Sequence, residues 1–438
     1  MKKILVIGAG RSSGALIEYL LKESSNIPAR ITVADGNLDL AITKTNNHPN
    51  GEALKIEVTA DGIENHIVAA HDIVISMMPP HLHPPIARQC LALGKHFVTA
   101  SYVSSEMQEL HEEFIKKGLV CMNEIGLDPG IDHMSAMELI DDIKSKGGKI
   151  TSFKSYCGGL VAPESDDNPW HYKVTWNPRN VVLAGQGIAQ YKLGHQIKRL
   201  PYRRIFQEIE SFHFDAIGDY EGYMNRDSLS YIRQYGLYDV ATMCRGTIRG
   251  KDYCQAWSVL IDLGWTDHLT QIKDQNLTYK AVTKSLLDGN CESLSEYCQV
   301  NKIAPKICEM LIFLGLEEDK PIGLKSYTLA DALEQLIVTK WAMQPMHKDM
   351  VLMRHLFEFE LDGKQSKLQS DLVVIGDGEG GHSAMSKTVG LPLGIFVQRL
   401  ALGLVEETGV MIPISANIYK PILEQLQELD ISFHHTMS

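Results

Sequence analysis

The chain has 438 residues, with 54 acidic and 42 basic side chains, 44% hydrophobic residues and a formal net charge of −12. This composition is typical of a globular protein with two or three domains, and it excludes collagen-like and disordered chains. The negative charge argues against nucleic-acid binding, because neutralising phosphates requires a basic face. No apolar segment of the sequence reaches the about 18 residues of a membrane-spanning helix, so we expect no membrane partner.

The start of the chain and its cysteines indicate a compartment. The first strand-like segment begins at residue 2, so we expect no signal peptide and a cytoplasmic location. The eight cysteines form no C-x-x-C pair, and the short His motifs lack further ligands nearby in sequence. We therefore predict no metal site and interpret His81, His83, His434 and His435 as loop or tail residues.

Short Val- and Ile-rich segments alternate with amphipathic segments over the first part of the chain. The predicted strands are residues 4–7, 30–34, 54–58, 73–76, 96–99 and 119–122, and the predicted helices are 12–23, 80–93 and 104–117. This alternation predicts βαβ units around a parallel sheet. We therefore predict a Rossmann domain over residues 1–127.

A second domain of the α+β type is predicted over residues 128–390. It has a predicted helix at 133–146 and predicted strands at 149–156, 211–217, 253–263, 353–361 and 371–375. Helical periodicity over about 266–345, including 304–314 and 328–342, predicts a helical insertion. We expect residues 391–438 to pack back on the Rossmann domain. The predicted fold class is α/β, with an N-terminal Rossmann domain followed by this second domain.

A glycine-rich turn follows the first predicted strand and opens a helix, a context that binds the pyrophosphate of a dinucleotide. We assign to this turn Gly8, Ala9, Gly10, Arg11, Ser12 and Ser13. Asp35 ends the second strand, where a carboxylate binds ribose hydroxyls and repels a 2′-phosphate. We therefore expect NAD to be favoured. Arg11 is the counter-argument, because its guanidinium could reach the phosphate of NADP.

Three polar loops follow predicted strands, at residues 76–80, 100–104 and 124–133. Ligands of open α/β sheets bind beyond the carboxyl ends of the strands, so these loops are candidate walls of the site. From the first and third loops we assign four further residues to the cofactor: Ser76, Met78, Pro79 and Leu127.

Distinctive sequence blocks are spread over nearly the whole chain. They are Gly126-Leu127-Asp128-Pro129-Gly130-Ile131-Asp132-His133, Ser155-Tyr156-Cys157-Gly158-Gly159-Leu160, Asn225-Arg226-Asp227-Ser228, Arg245-Gly246-Thr247-Ile248-Arg249 and Met385-Ser386-Lys387-Thr388-Val389-Gly390-Leu391-Pro392. Together they resemble saccharopine dehydrogenase of the glutamate-forming type, also called saccharopine reductase. The resemblance implies interconversion of saccharopine, a small molecule, with glutamate and 2-aminoadipate 6-semialdehyde, using a nicotinamide cofactor and water. It also implies a homodimer whose second domain binds substrate and forms the dimer.

The same resemblance matches Tyr102, Asp128 and Cys157 to residues that line the reaction centre of the family. Oxidising a secondary amine requires loss of a proton, hydride transfer and attack of water on the imine. We hypothesise that Asp128 and Tyr102 handle proton and water, with Cys157 as their hydrogen-bonded partner, and the sequence leaves open which of them accepts the proton. Structural roles compete, since Asp128 could cap a helix and the other two could be core residues.

Saccharopine carries three carboxylates, so guanidinium groups are expected around it. The predicted substrate-binding residues are Ser101, Tyr102, Asp128, Trp176, Arg226, Thr247 and Arg249. A surface position without function is the alternative for the two arginines. Competing functions are lysine 6-dehydrogenase, carboxynorspermidine dehydrogenase and a non-catalytic dinucleotide-binding regulator.

Overall fold

The structure is a computed structural model that describes residues 1–215, 217–287, 289 and 291–438. The chain divides into two compact units. The first comprises Met1–Lys149, Leu361–Lys364 and Leu372–His435, and the second comprises Ile150–Glu360, Gln365–Asp371 and Thr436–Ser438.

The elements of the first 149 residues alternate between strand and helix. They are β1 (Lys2–Ile7), α1 (Gly14–Glu23), β2 (Ala29–Asp35), α2 (Leu38–Thr45), β3 (Gly51–Lys55), α3 (Asn65–Ala69), β4 (Ile73–Ser76), α4 (His83–Leu93), β5 (His96–Val98), α5 (Ser105–Gln108), α6 (His111–Lys116), β6 (Val120–Met122) and α7 (Ile131–Ser145). Short 3-10 turns at Arg11–Ser13 and Pro80–Leu82 lead into α1 and α4.

Longer strands and a run of helices follow. They are β7 (Lys149–Val161), α8 (Pro178–Val182), β8 (Ile188–Leu193), β9 (Gln196–Pro201), α9 (Tyr202–Ile205), β10 (Ile209–Phe214), β11 (Gly218–Met224), α10 (Ser230–Gln234), β12 (Thr242–Gly250), α11 (Tyr253–Leu263), α12 (Tyr279–Leu286), α13 (Leu294–Val300), α14 (Pro305–Phe313), α15 (Leu329–Lys340), β13 (Asp349–Leu361), β14 (Lys364–Ile375), α16 (Ala384–Ala401), β15 (Gly409–Met411), α17 (Ala416–Glu428) and β16 (Phe433–Met437).

The sheet of the first unit has the strand order β15-β6-β5-β4-β1-β2-β3. Its strand pairs are parallel, and β1 is fully buried along Ile4, Leu5 and Val6, as expected of a central strand covered on both faces. Order 3-2-1-4-5-6 is that of the Rossmann fold, whose switch point lies between β1 and β4. The predicted fold class is therefore confirmed.

Helix α16 covers α1 at very short range. A Cβ added at Gly390 would lie 2.7 Å from the backbone nitrogen of Leu16, so only glycine permits this approach. Strand β15 extends the sheet by pairing with β6, Val410 lying opposite Cys121. Residues from the last part of the chain thus contribute both a strand and a helix to the first unit.

The second sheet has the order β10-β11-β12-β7-β13-β14-β16, and β8 pairs with β12 and β9. It is mixed, because β12 runs parallel to β7 while β10, β11 and β12 are antiparallel. Helices α12 to α15 lie within the predicted helical insertion.

One predicted strand is wrong, since residues 253–263 form the buried helix α11. Tyr253, Ala256, Trp257 and Leu260 recur at helical spacing and are buried, which is the pattern of a helix and not of a strand. Gly264, at φ +90°, ends the helix. The predicted strand 211–217 is present as Ile209–Phe214, and its residue 216 lies outside the described residues. In the described part of the chain, no helix combines the length and apolar character needed to cross a membrane.

Candidate functional site

The carboxyl ends of β1, β2, β4, β5 and β6 meet at one edge of the parallel sheet. The glycine turn follows β1, Asp35 ends β2, and Ser76 ends β4. The loops carrying Tyr102 and Asp128 follow β5 and β6. This edge is where an open α/β sheet binds its ligands.

The glycine turn has the shape that a dinucleotide requires. Gly8 has φ +105°, and a Cβ there would lie 3.3 Å from the carbonyl oxygen of Met77. A Cβ at Gly10 would meet nothing within 4 Å, so the backbone borders open space there. The Ser13 hydroxyl donates to the Gly10 carbonyl at 2.9 Å and closes the turn. These residues fit a pyrophosphate held against backbone N–H groups.

Asp35 is held by the backbone around it. One carboxylate oxygen accepts the Ala9 N–H at 2.7 Å, and the other accepts the Asn37 N–H at 2.8 Å. The carboxylate therefore ties the glycine turn to the end of β2. Arg11 is exposed in the 3-10 turn that follows Gly10.

The remaining cofactor assignments lie in two loops of the same edge. Met78 is half-buried against the core of the first unit, and Pro79 is exposed. Leu127 is buried, and its carbonyl accepts the Asp132 N–H at 3.0 Å.

A buried histidine connects the loop after β4 with the loop after β5. His83 Nδ1 lies 2.9 Å from the Ser76 hydroxyl, and Nε2 lies 2.7 Å from the Ser101 hydroxyl. Burial, reinforced by nearby His81, lowers the pKa of His83 from 6.5 to about 4. A neutral imidazole has one donor and one acceptor nitrogen, so it couples the orientations of the two hydroxyls.

His83 was interpreted from the sequence as a loop or tail residue; that interpretation is wrong, and the predicted helix 80–93, which contains it, is present as α4. It is the first residue of α4 and is only 2% exposed. The two prolines that follow it were a usable sign, since proline favours the first turn of a helix.

Tyr102 and Asp128 meet directly. The Tyr102 hydroxyl donates a 3.0 Å hydrogen bond to Asp128 Oδ1, and both residues are half-buried. The two residues come from different loops of the ligand-binding edge. A carboxylate in contact with a phenol hydroxyl can accept, orient and return a proton.

Sequence reasoning did not single out the buried acid Glu124, whose side chain contacts both of these loops. Glu124 Oε1 accepts the Val103 N–H at 2.9 Å, and Oε2 lies 2.8 Å from His133 Nε2. Its position two residues after β6 was the available signal, since polar residues that follow a parallel strand lie at the ligand-binding edge of the sheet.

In the second unit, Cys157 and Thr247 lie opposite each other on the neighbouring parallel strands β7 and β12. Cys157 is 6% exposed. The Asn225 side-chain amide donates to the Thr247 hydroxyl at 2.9 Å. Arg226, the next residue, is exposed beyond the end of β11. Three predicted positions of this unit therefore lie on adjacent strands or just beyond them.

Arg249 is buried among aromatic rings. It is 3% exposed, and its guanidinium carbon lies 5.2 Å from the Tyr172 ring centre and 5.4 Å from that of Tyr253. Nη1 donates to the Ile248 carbonyl at 2.9 Å, while Nε has no hydrogen-bond partner among the described residues. Trp176 Nε1 donates to the Tyr172 hydroxyl at 3.3 Å, so Trp176 and Arg249 contact the same tyrosine.

Among the residues that the structure describes, no group of three or more His, Cys, Asp or Glu side chains is arranged so that it could hold a metal ion.

Comparison with known proteins covers the whole chain. A family profile described as saccharopine dehydrogenase NADP binding domain matches residues 4–122, and one described as saccharopine dehydrogenase C-terminal domain matches residues 126–431. The Schizosaccharomyces pombe protein named saccharopine dehydrogenase [NADP(+), L-glutamate-forming] is 32% identical, with 97% of each chain covered. Bovine mitochondrial alpha-aminoadipic semialdehyde synthase is 35% identical over 99% of this chain, which spans 47% of that relative. The structure of apo saccharopine dehydrogenase (L-Glu forming) from Saccharomyces cerevisiae superposes with a TM-score of 0.88 at 29% identity, covering 100% of both chains.

The expectation that Asp35 favours NAD is wrong, because the matched domain is described as NADP binding and the fission-yeast relative is named for NADP(+). The physical reason lies in the contacts of Asp35, whose two oxygens accept backbone N–H groups and shape the turn. With matches over both parts of the sequence and nearly full-length relatives, the chain belongs to the saccharopine dehydrogenase family.

Proposed function

We propose that this chain catalyses the NADP-dependent interconversion of saccharopine and water with glutamate and 2-aminoadipate 6-semialdehyde, a reaction of lysine metabolism. The observation that carries the proposal is the Tyr102–Asp128 hydrogen bond at the ligand-binding edge of the Rossmann sheet. The names of the nearly full-length relatives support the same reaction.

The first unit would hold the cofactor. The turn from Gly8 to Ser13, whose backbone borders open space at Gly10, would hold the pyrophosphate, and Arg11 is the proposed partner of the 2′-phosphate. NADP held there would supply the hydride acceptor for oxidation of the substrate carbon. Ser76 lies at the same edge and is oriented by His83.

Asp128 and Tyr102 would move the proton. Asp128 accepts the proton released as the secondary amine is oxidised, and then orients the water that adds to the imine. The Tyr102 hydroxyl, 3.0 Å from Oδ1, fixes the direction of the carboxylate, and protonated Asp128 would return the proton to the nitrogen that leaves as the amine of glutamate. Fixing an acceptor in this way lowers the barrier, because the group is already oriented when the proton moves.

In the second unit, the proposed substrate-binding residues are Trp176, Arg226, Thr247 and Arg249, and Cys157 is the proposed third catalytic residue. The guanidinium groups would neutralise substrate carboxylates, for which planar paired donors are well suited. We also propose a cytoplasmic location and, on the family resemblance, a homodimer, the latter being tested by sedimentation analysis of the purified chain.

The experiment compares NADPH formation with saccharopine, lysine and carboxynorspermidine as substrates. We expect turnover of saccharopine alone, and an about 10²-fold loss of kcat in Asp128→Asn with an unchanged Kd for NADP. Exposed Asp239 provides the matched control, Asp239→Asn, which should retain wild-type kcat. Turnover of lysine in place of saccharopine, or full activity of Asp128→Asn, would contradict the proposal.

A further inference from the structure

Three ionisable side chains form a buried array beneath the loops that carry Tyr102 and Asp128. Glu124, Asp132 and His133 are 4%, 2% and 0% exposed. The Glu124 backbone has φ +55°, in the left-handed region that non-glycine residues rarely adopt. An acid in this conformation and at this depth needs specific contacts to hold it.

Glu124 binds the backbone on both sides of Tyr102. Its own N–H donates to the Ser101 carbonyl at 3.0 Å, and its Oε1 accepts the Val103 N–H at 2.9 Å. The residues before and after Tyr102 are therefore held by the same residue. This arrangement fixes the backbone from which the Tyr102 side chain extends.

The other side of the array holds the loop that carries Asp128. Glu124 Oε2 lies 2.8 Å from His133 Nε2, and His133 Nδ1 lies 3.5 Å from Asp132 Oδ2. The second oxygen of Asp132 accepts the Gly130 N–H at 2.6 Å, two residues beyond Asp128. Contacts therefore run continuously from one loop to the other.

The contacts of the array suit a rigid connection. Each nitrogen of the His133 ring faces a carboxylate, Nε2 towards Glu124 and Nδ1 towards Asp132. A buried polar group without a hydrogen-bond partner is unfavourable, so the three side chains keep one arrangement.

We propose that Glu124, acting with His133 and Asp132, is a positioning residue that holds Tyr102 at hydrogen-bonding distance from Asp128. This inference rests on the proposed function, because it assigns the array a part in the same proton transfer. A displacement of about 1 Å in a catalytic group can lower the rate about 10²-fold, so the array controls kcat without contacting the substrate.

The test is a double-mutant cycle measured as saccharopine-dependent NADPH formation by the full chain. Glu124→Gln keeps the size of the side chain and an oxygen acceptor. Glu124→Ala removes the side-chain contacts with the Val103 N–H and with His133. We expect kcat to fall about 10-fold in the first and about 100-fold in the second, with KM for NADP within about 2-fold of wild type. In a Tyr102→Phe background, Glu124→Ala should add less than about a 3-fold loss, because the contact it positions is already gone.

Asp371→Asn is the matched control. It breaks another buried ion pair, in which Asp371 accepts two 2.6 Å hydrogen bonds from Arg354. This variant should lower the melting temperature and leave kcat within about 2-fold of wild type.

Each result decides a different point. Equal losses from Glu124→Ala in both backgrounds, or a lower melting temperature with unchanged kcat, would refute the positioning role. If Glu124→Ala does not fold, Glu124→Gln alone decides the cycle, since it replaces one polar side chain by another of equal size. Full activity of Tyr102→Phe would refute the proton-transfer role of Tyr102 and this inference with it, whereas no saccharopine-dependent NADPH formation by the wild type would overturn the proposed function.

Discussion

The buried imidazole of His83 makes the folding stability of the first unit depend on pH. In an unfolded chain an imidazole binds a proton near pH 6.5, whereas folded His83 does so near pH 4 because burial disfavours the cation. Between these values the unfolded state binds more protons. The stabilising contribution is therefore complete above pH 6.5 and is lost as the pH falls towards 4.

The size of the effect follows from the two pKa values. Each pH unit between them changes the free energy of unfolding by about 1.36 kcal/mol. The titration of His83 should therefore lower the free energy of unfolding by about 2 kcal/mol at pH 5 relative to pH 7.5. His83→Gln keeps a donor and an acceptor for Ser76 and Ser101 but does not titrate. As the pH falls from 7.5 to 5, the wild type should therefore lose about 2 kcal/mol of stability relative to His83→Gln.

The assay must report on the first unit. All five tryptophans lie between residues 150 and 360, so fluorescence follows the second unit and serves as an internal reference. Hydrogen exchange of residues 73–102 follows the region around His83. The control is His66→Gln, which removes an exposed imidazole and should leave the pH dependence unchanged. Parallel stability curves for wild type and His83→Gln would refute the reasoning.

Three further predictions concern packing, the cofactor turn and substrate binding. Gly390→Ala should destabilise the first unit by about 1 to 3 kcal/mol in urea unfolding, because the added Cβ would lie 2.7 Å from the Leu16 nitrogen. Asp35→Asn should raise KM for NADP about 10-fold by weakening the hydrogen bond from Ala9 N–H, and tighter NADP binding would show that repulsion of the 2′-phosphate dominates instead. Arg226→Ala should raise KM for saccharopine at least about 10-fold with KM for NADP unchanged, whereas equal effects on both would place it outside the substrate pocket.

The parts of the fold that depend on local pattern were predictable. Buried strands such as β1 and β4 are continuous apolar segments, and helix α15 begins with a capping box at Thr328 and Asp331. Strand β12 was missed because its sequence mixes cysteine, arginine and glycine. Its place in the sheet depends on pairing with β7 and β11 on either side, and a local sequence pattern does not reveal such pairing.

The candidate site was also predictable only in part: the positions of its residues could be predicted, but their hydrogen bonds could not. The positions of Asp35, Tyr102 and Asp128 at strand ends follow from counting residues after each strand. The hydrogen bonds of these residues could not be predicted in this way, because Asp35 binds a backbone group 26 residues earlier and Tyr102 binds a carboxylate 26 residues later. Partners separated in this way are determined by tertiary packing. The wrong cofactor preference came from assigning the Asp35 carboxylate to the ribose hydroxyls and to repulsion of a 2′-phosphate, whereas both of its oxygens accept backbone N–H groups.

The pairing of β15 with β6 has a consequence for biosynthesis. The partner of β6 begins at Gly409, nearly 290 residues further along the chain. Until those residues are synthesised, β6 is an unpaired edge strand of the nascent polypeptide. At about 5 to 20 residues per second, synthesis of the segment between β6 and β15 takes roughly 15 to 60 s. Unpaired backbone N–H and C=O groups are templates for adding a foreign strand during this interval. Ribosome-bound intermediates of this protein should therefore depend on chaperone shielding far more than the completed chain does.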